Sequence, residues 1–167
     1  MNNRIVTFVQ NKINTQGLVA MDRFDERILQ ELKRNGRLTN VELSERIGLS
    51  ASATLRRVQE LERNGTIQGY RAILNPSKCG VGFVAYVTIG LSDHSKKSQK
   101  DFEEQIMESK EVTECHNITG ANEYLLRVET ESLASYKQFH SNVLGEISQV
   151  NSIGTLVVMD TPKDERT

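Results

Sequence analysis

Residues 39–63, TNVELSERIGLSASATLRRVQELER, decide the fold, because they read as two short helices joined by a tight Gly-Leu-Ser turn. The first helix opens with a capping box: Thr39 can accept from the Glu42 amide while the Glu42 carboxylate reaches back to the Thr39 amide. Val41, Leu43 and Ile47 supply its apolar contacts. Gly48 permits the positive φ that ends a helix at low steric cost, and Ser50 can cap the helix that follows. At about 100° per residue, Ala51, Thr54, Leu55, Val58 and Leu61 gather on one side of that second helix, while Ser52, Ala53, Arg56, Gln59 and Arg63 face away. Small hydroxyls and the pair Arg56-Arg57 in the first two turns suit base edges and phosphates in a major groove. The pattern predicts a helix-turn-helix whose partner is double-stranded DNA, with Ser50, Ser52, Ala53, Thr54, Arg56 and Arg57 as candidate contacts. A basic helix face is ordinarily just solvated surface, and Glu60 and Glu62 sit among these arginines. What favours DNA is the capping box, glycine turn, second cap and correctly phased apolar face occurring together.

Working outward, Asp22 and Asp25 suit the N-cap and N3 positions of an earlier helix, where carboxylates favour the positive end of the dipole. Phe24, Ile28, Leu29 and Leu32 form its buried stripe and Asn35-Gly36 stops it, as Asn64-Gly65 stops the recognition helix. Thr66–Leu74, TIQGYRAIL, has strand character and predicts either a small wing or a linker. Asn75-Pro76, Gly80 and Gly82 then mark a boundary. The resulting division is an N-terminal extension (1–20, the product of an upstream start codon, an arm or a short strand), a winged helix-turn-helix (21–70), a linker (71–82), a second domain (83–160) and a tail (161–167).

The second domain alternates strands and helices: strand 83–91, helix 97–108, strands 112–118 and 124–130 separated by a turn at Gly120, helix 133–147 and strand 150–159. The order β-α-β-β-α-β predicts a ferredoxin-like split unit, making the chain α+β overall. Phe83-Val84-Ala85-Tyr86-Val87 and Leu156-Val157-Val158-Met159 are apolar at consecutive positions, so both faces of the sheet are expected to be apolar. Helices cover one face, and a second copy of the chain is the economical cover for the other, giving a homodimer whose paired recognition helices can read two half-sites.

The 167 residues carry a net charge of −1 and 37% hydrophobic residues, enough for ordinary globular cores. The charge is asymmetric: residues 1–71 hold 12 Lys/Arg against 8 Asp/Glu, and residues 72–167 hold 9 against 14, so one half is attracted to phosphate and the other repelled. No apolar run approaches the roughly 20 residues that span a bilayer, and no signal-peptide pattern is present, so no membrane association and a cytoplasmic location are expected. Cys79 and Cys115 have no disulfide or zinc spacing and read as small half-buried thiols. An enzyme is not expected: neighbouring side chains on a strand point to opposite faces, so Cys115 and His116 cannot form a nucleophile–base pair. Neither a catalytic residue, a metal site nor a cofactor is predicted.

The segments MDRFDERIL, GRLTNVELSERIGLS, LRRVQELERNGTIQGYRAILNP, ECHNITGANEYLLRVE and TLVVM make residues from about Met21 to Met159 resemble the Lrp/AsnC, or feast/famine, family of transcriptional regulators. The resemblance implies a winged helix-turn-helix followed by a domain that senses amino acids and dimerises, with further assembly to octamers in many relatives. It implies control of the protein's own gene or of amino-acid genes, with an amino acid or related small molecule as effector. It places the effector at an interface between dimers around Thr119, Gly120, Ala121, Asn122 and Glu123, with Thr155 close by. Two departures stand out. Many relatives have Gly-Asp-x-Asp at that turn, where this chain has Gly120-Ala121-Asn122-Glu123, removing one counter-charge for an ammonium group. Relatives often start the recognition helix with Ser-Pro-x-Pro-Cys, where this chain has Ser50-Ala51-Ser52-Ala53-Thr54. The first departure keeps an architectural DNA-binding protein without ligand response as the alternative.

Overall fold

A computed structural model describes residues 21–164. The expected N-terminal extension and the last residues of the expected tail lie outside them. The chain divides into two compact units at Ala72/Ile73.

The first unit contains helices α1 (Arg23–Arg34), α2 (Asn40–Ile47) and α3 (Ala51–Arg63). Each begins at a capping side chain. Asp22 accepts from the amides of Phe24 and Asp25 while Asp25 accepts from the Asp22 amide. Thr39 and Glu42 form the expected reciprocal box, and Ser50 accepts from the Ala53 amide at 3.3 Å. Gly48 ends α2 at φ 76°, a left-handed conformation that favours glycine. Ile28, Leu43, Ile47 and Leu61 form the core, with Leu29, Leu32, Leu38, Leu49, Val58 and Ile67 packed around it. Two sequence expectations fail here. Val41 is 58% exposed and Leu55 is 46% exposed, because a core this small closes over only part of each helix's apolar face.

Residues 66–74 form no strand, so of the two expectations for this segment the structure lacks the wing ladder. Ile67 instead packs on the core, its amide donating to the Leu61 carbonyl at 2.9 Å, and the Tyr70 hydroxyl donates to Glu62 Oε1 at 3.0 Å. Burial, and secondarily the Glu62 carboxylate, push the Tyr70 phenol up to about 12, so it remains a donor throughout the physiological range.

The capping carboxylates make this unit acid-sensitive. Glu42 is held below its ordinary value first by the Thr39 amide and then by the Thr39 hydroxyl. Asp22 is held below its own first by the Asp25 amide, against partial desolvation and with help from Arg57. A carboxyl whose folded pKa lies below its unfolded value adds stability that is complete above the unfolded pKa and is lost as pH falls through the folded one. The unit is therefore expected to weaken as pH falls below about 4.5. Glu42→Gln keeps an acceptor for the Thr39 amide but does not titrate, so far-UV circular dichroism should show a flatter acid dependence; a curve unchanged from wild type would remove Glu42 from this account.

The second unit contains β1 (Phe83–Leu91), α4 (Lys96–Met107), β2 (Val112–Asn117), β3 (Tyr124–Thr130), α5 (Leu133–Asn142) and β4 (Val150–Val157), with short 3-10 turns at Pro76–Cys79 and Leu144–Glu146. The strands form one antiparallel sheet in the order β2-β3-β1-β4, the expected ferredoxin-like split arrangement. Helix α5 stops at Asn142, short of the expected Ile147, and a 3-10 turn completes the segment. Strand register places Ala85, Val87, Ile89, Leu126 and Val128 on the inner face beneath Phe102, Ile106, Tyr136 and Phe139 of the helices. Phe83 joins them, its ring centroid 5.1 Å from that of Tyr136.

The outer face differs from the expectation of a wholly apolar surface. Val84, Tyr86, Leu125 and Leu156 lie on it, but in register with them are Glu129, Arg127 and His116. Arg127 pairs with Glu129, and His116 Nε2 lies 3.3 Å from Glu114 Oε2. The apolar runs of β1 and β4 are real, but their neighbours β2 and β3 carry charges on that side. Leu156, Val157 and Met159 are exposed at 61%, 52% and 97%.

Candidate nucleic-acid interface and effector turn

Helix α3 presents a stripe of side chains spaced 52, 56, 59 and 63, which about 100° per residue brings to one face. Ser52, Arg56, Gln59 and Arg63 are all exposed. Among the described residues Arg56 takes part in no hydrogen bond or ion pair, so its guanidinium is available to a base edge or a phosphate. Leu55 stands exposed beside it, an apolar group of the kind that meets a thymine methyl. The apolar stripe of α3 predicts a buried Leu55, and helical phase alone holds no signal to the contrary. The acids that counted against DNA are already engaged: Glu60 accepts both Arg63 Nε and Nη2, and Glu62 accepts the Tyr70 hydroxyl.

The remaining candidates behave differently. Ser50 is exposed, but its hydroxyl caps α3 and lies 3.2 Å from that of Ser52. Ala53 is half-buried. Thr54 has no exposed surface, so its role is packing rather than contact with DNA, a correction to its candidacy. Arg57 also departs from expectation. Its Nη1 donates to Asp25 Oδ1 at 2.7 Å and its Nη2 to Asp22 Oδ2 at 2.8 Å, so the guanidinium turns back to the start of α1. Both carboxylates raise its pKa, hydrogen bonding to Asp25 most, then to Asp22. No local pattern could have indicated this, since the acceptors lie 32 and 35 residues away. Helix α2 is tied to α1 where Arg27 Nη2 donates to the Arg46 carbonyl at 2.7 Å and Arg46 Nη1 to Glu31 Oε2 at 2.9 Å, and to α3 where Asn40 Nδ2 donates to the Ala51 carbonyl at 2.7 Å.

In the second unit, residues 118–123 connect β2 to β3. The Ile118 amide donates to the Glu123 carbonyl at 2.8 Å, and the Glu123 amide to the Ile89 carbonyl at 3.0 Å. Thr119, Gly120 and Ala121 are exposed, while Asn122 and Glu123 are half-buried. The Glu123 carboxylate is occupied: Oε2 accepts the Leu91 amide at 2.7 Å, and Oε1 lies 3.0 Å from His94 Nδ1. Gly90 passes beneath; a Cβ there would displace the Ser152 hydroxyl and lie 3.4 Å from Asn122 Oδ1, so the glycine leaves room for both polar side chains.

The structure does not bring Thr155 to this turn within one chain. Thr155 pairs with Val87 across β1, and its hydroxyl meets that of Tyr136 at 2.5 Å beside α5. The β4 residue next to the turn is Ser152, opposite Gly90. Finding it required the β1–β4 register, which has no sequence signal of its own.

Cys115 and His116 lie in register with Leu126 and Leu125 respectively, on opposite sheet faces as expected. Burial pushes the Cys115 thiol up to about 12, which leaves little thiolate at neutral pH. Cys79, read from the sequence as half-buried, is exposed. Among the described residues no helix is long and apolar enough to cross a membrane.

Residues 84–167 match the family model of the Lrp/AsnC ligand binding domain, and residues 21–68 match that of a winged helix-turn-helix DNA-binding domain. The chain is 38% identical to the proline dehydrogenase transcriptional activator of Rhizobium radiobacter, over 86% of this chain and 92% of that one. It is also 38% identical to the leucine-responsive regulatory protein of Escherichia coli, over 86% and 87%. Among solved structures, a Neisseria meningitidis transcriptional regulator in complex with L-Met superposes with a TM-score of 0.83 at 34% identity, covering 86% of this chain and 93% of that one. Escherichia coli AsnC superposes at 0.79 with 26% identity, covering 86% and 97%.

Proposed function

The chain belongs to the Lrp/AsnC family of DNA-binding transcriptional regulators, and from that premise we propose that it reads operator DNA through Ser52 and Arg56 of α3. Residues 21–70 act as the reading domain and residues 83–160 as the sensing and dimerising one. The observation that carries this reading is Arg56, an exposed guanidinium without a partner among the described residues, in the second turn of a capped helix. Phosphate contacts supply much of the affinity and base contacts the selectivity. Arg56→Ala is expected to weaken specific binding by about 1–3 kcal/mol, the worth of one good base contact, with no change in thermal midpoint. Unchanged affinity in that variant would remove Arg56 from the interface.

The effector is an amino acid or a related small molecule, in keeping with one relative named as leucine-responsive and another solved in complex with L-Met. It binds at residues 119–123 between dimers: the turn is a surface feature, and a ligand there needs a second wall. Within one chain Asn122 and Ser152 are its polar neighbours. The protein acts in the cytoplasm, without a cofactor, on its own gene or on amino-acid genes. Effector binding selects among assemblies and so changes half-site spacing, a coupling between distinct sites.

A second reading has its own support. Ala121 stands where relatives often carry an acid, and the Glu123 carboxylate is already engaged by Leu91 and His94, which leaves an ammonium group little to meet and favours an architectural DNA-binding protein without ligand response. Two titrations separate the readings. Preference for DNA from upstream of its own gene over shuffled DNA of equal length, at one fixed salt concentration, supports a sequence-specific regulator; equal binding supports the architectural reading. A rise in thermal midpoint with any amino acid supports sensing, since a ligand that binds the native state preferentially must stabilise it.

A further inference from the structure

We infer that Arg57 is a positioning residue for DNA recognition: clamped between Asp22 and Asp25, it sets the rotation of α3 so that Ser52 and Arg56 face the groove, and it does not itself touch DNA. This rests on α3 being the reading helix, as proposed above.

The geometry is that of a fork. Nη1 and Nη2 of one planar guanidinium donate to carboxylates of two different residues at 2.7 and 2.8 Å, and the group lies 5.5 Å from the centroid of the Phe24 ring between them in sequence. Such pairs are short, charge-assisted and directional, so they fix orientation as well as distance. Asp22 and Asp25 are themselves immobilised, since each also serves the capping box of α1. The clamp therefore joins the first turn of α1 to the second turn of α3 through groups that have little freedom of their own.

The apolar core leaves this task open. On α3 only Thr54 and Leu61 are fully buried, Leu55 is nearly half exposed, and Val58 is only partly covered. Burial is non-directional and resists a small rotation of a helix weakly, whereas a recognition constellation must be held to roughly 0.5 Å and 10–20°. Arg57 follows Arg56 by one residue, about 100° around the helix, so the clamp acts directly on the orientation of the reading face. The side chain of Arg57 is 26% exposed and that of Asp25 only 17%.

The test uses full-length protein and the upstream DNA fragment, with wild type, Arg57→Ala and Asp25→Asn titrated at several salt concentrations and affinities corrected for the folded fraction measured by circular dichroism. Asp25→Asn gives the sharper result, because removing an acid near DNA should by charge alone tighten binding. Positioning predicts that both variants bind roughly 5- to 150-fold more weakly, the worth of one aligned base contact, with the slope of log affinity against log salt unchanged. If Arg57→Ala lowers the magnitude of that slope by about 0.9, Arg57 contacts a phosphate and the inference is overturned. Two variants with lower thermal midpoints but wild-type affinity would also overturn it, leaving only a structural ion pair. Wild type that does not prefer the upstream fragment to shuffled DNA would fail the reading of α3 itself, a result visible before either variant is titrated.

Discussion

Phe102→Ala is expected to destabilise the second unit by about 3–5 kcal/mol, among the largest effects of any single truncation in the chain. Phe102 has no exposed surface, and its ring centroid lies 4.7 Å from that of Tyr124, the largest fully buried side chain. The Tyr124 hydroxyl donates to Glu103 Oε1 at 2.8 Å, and burial raises its pKa so that it remains a donor. That bond fixes the ring that Phe102 packs against, so neighbouring atoms have little room to collapse into the cavity. The Ile28, Leu43, Ile47 and Leu61 cluster is a separate core in the other unit, and its stability should be unaffected. Denaturant unfolding followed by both near- and far-UV signals would check this; a loss below about 1 kcal/mol would mean that the site relaxes far more than such sites usually do.

Leu156→Asp tests the proposed dimer, with an expected loss of operator affinity of roughly 10²- to 10⁴-fold, the avidity supplied by linking two reading helices. Leu156 lies on the outer sheet face in register with Tyr86 and is 61% exposed in the single chain. The substitution should therefore spare the monomer's own core. In a two-fold interface the same patch occurs on both subunits, so each change introduces a pair of carboxylates into surface that must lose water. Sedimentation should show a monomer with native secondary structure. A dimer of wild-type affinity would place the interface away from this face. The Arg127–Glu129 pair beside Tyr86 sharpens the prediction, because an added carboxylate meets a guanidinium that is already compensated.

The features legible before folding are those written in a few consecutive residues. The Asp22/Asp25 and Thr39/Glu42 boxes, the Ser50 cap and the Gly48 stop are contacts over two to four positions, so their chemistry is present in the string. The order of strands and helices in the second unit was legible for the same reason, through periodicity, and that order itself implied the ferredoxin-like split arrangement. Which side chains remain available depends on contacts between residues far apart in the chain. Arg57 and Arg56 are equivalent in the sequence, yet one is consumed by carboxylates 32 and 35 residues away and the other has no partner among the described residues. Thr54 is buried, as its place on the apolar stripe implies, and so is lost as a DNA contact, while Leu55 on the same stripe is exposed because a core of four buried residues covers a narrower arc than the stripe suggests. Ser152, not Thr155, adjoins Asn122, and charges from β2 and β3 interrupt the outer face, because strand register sets both and a shift of one residue would reverse each side chain. Local hydrogen bonding and periodicity determine the elements; the destinations of long side chains and the neighbours across a sheet exist only once the chain has closed on itself.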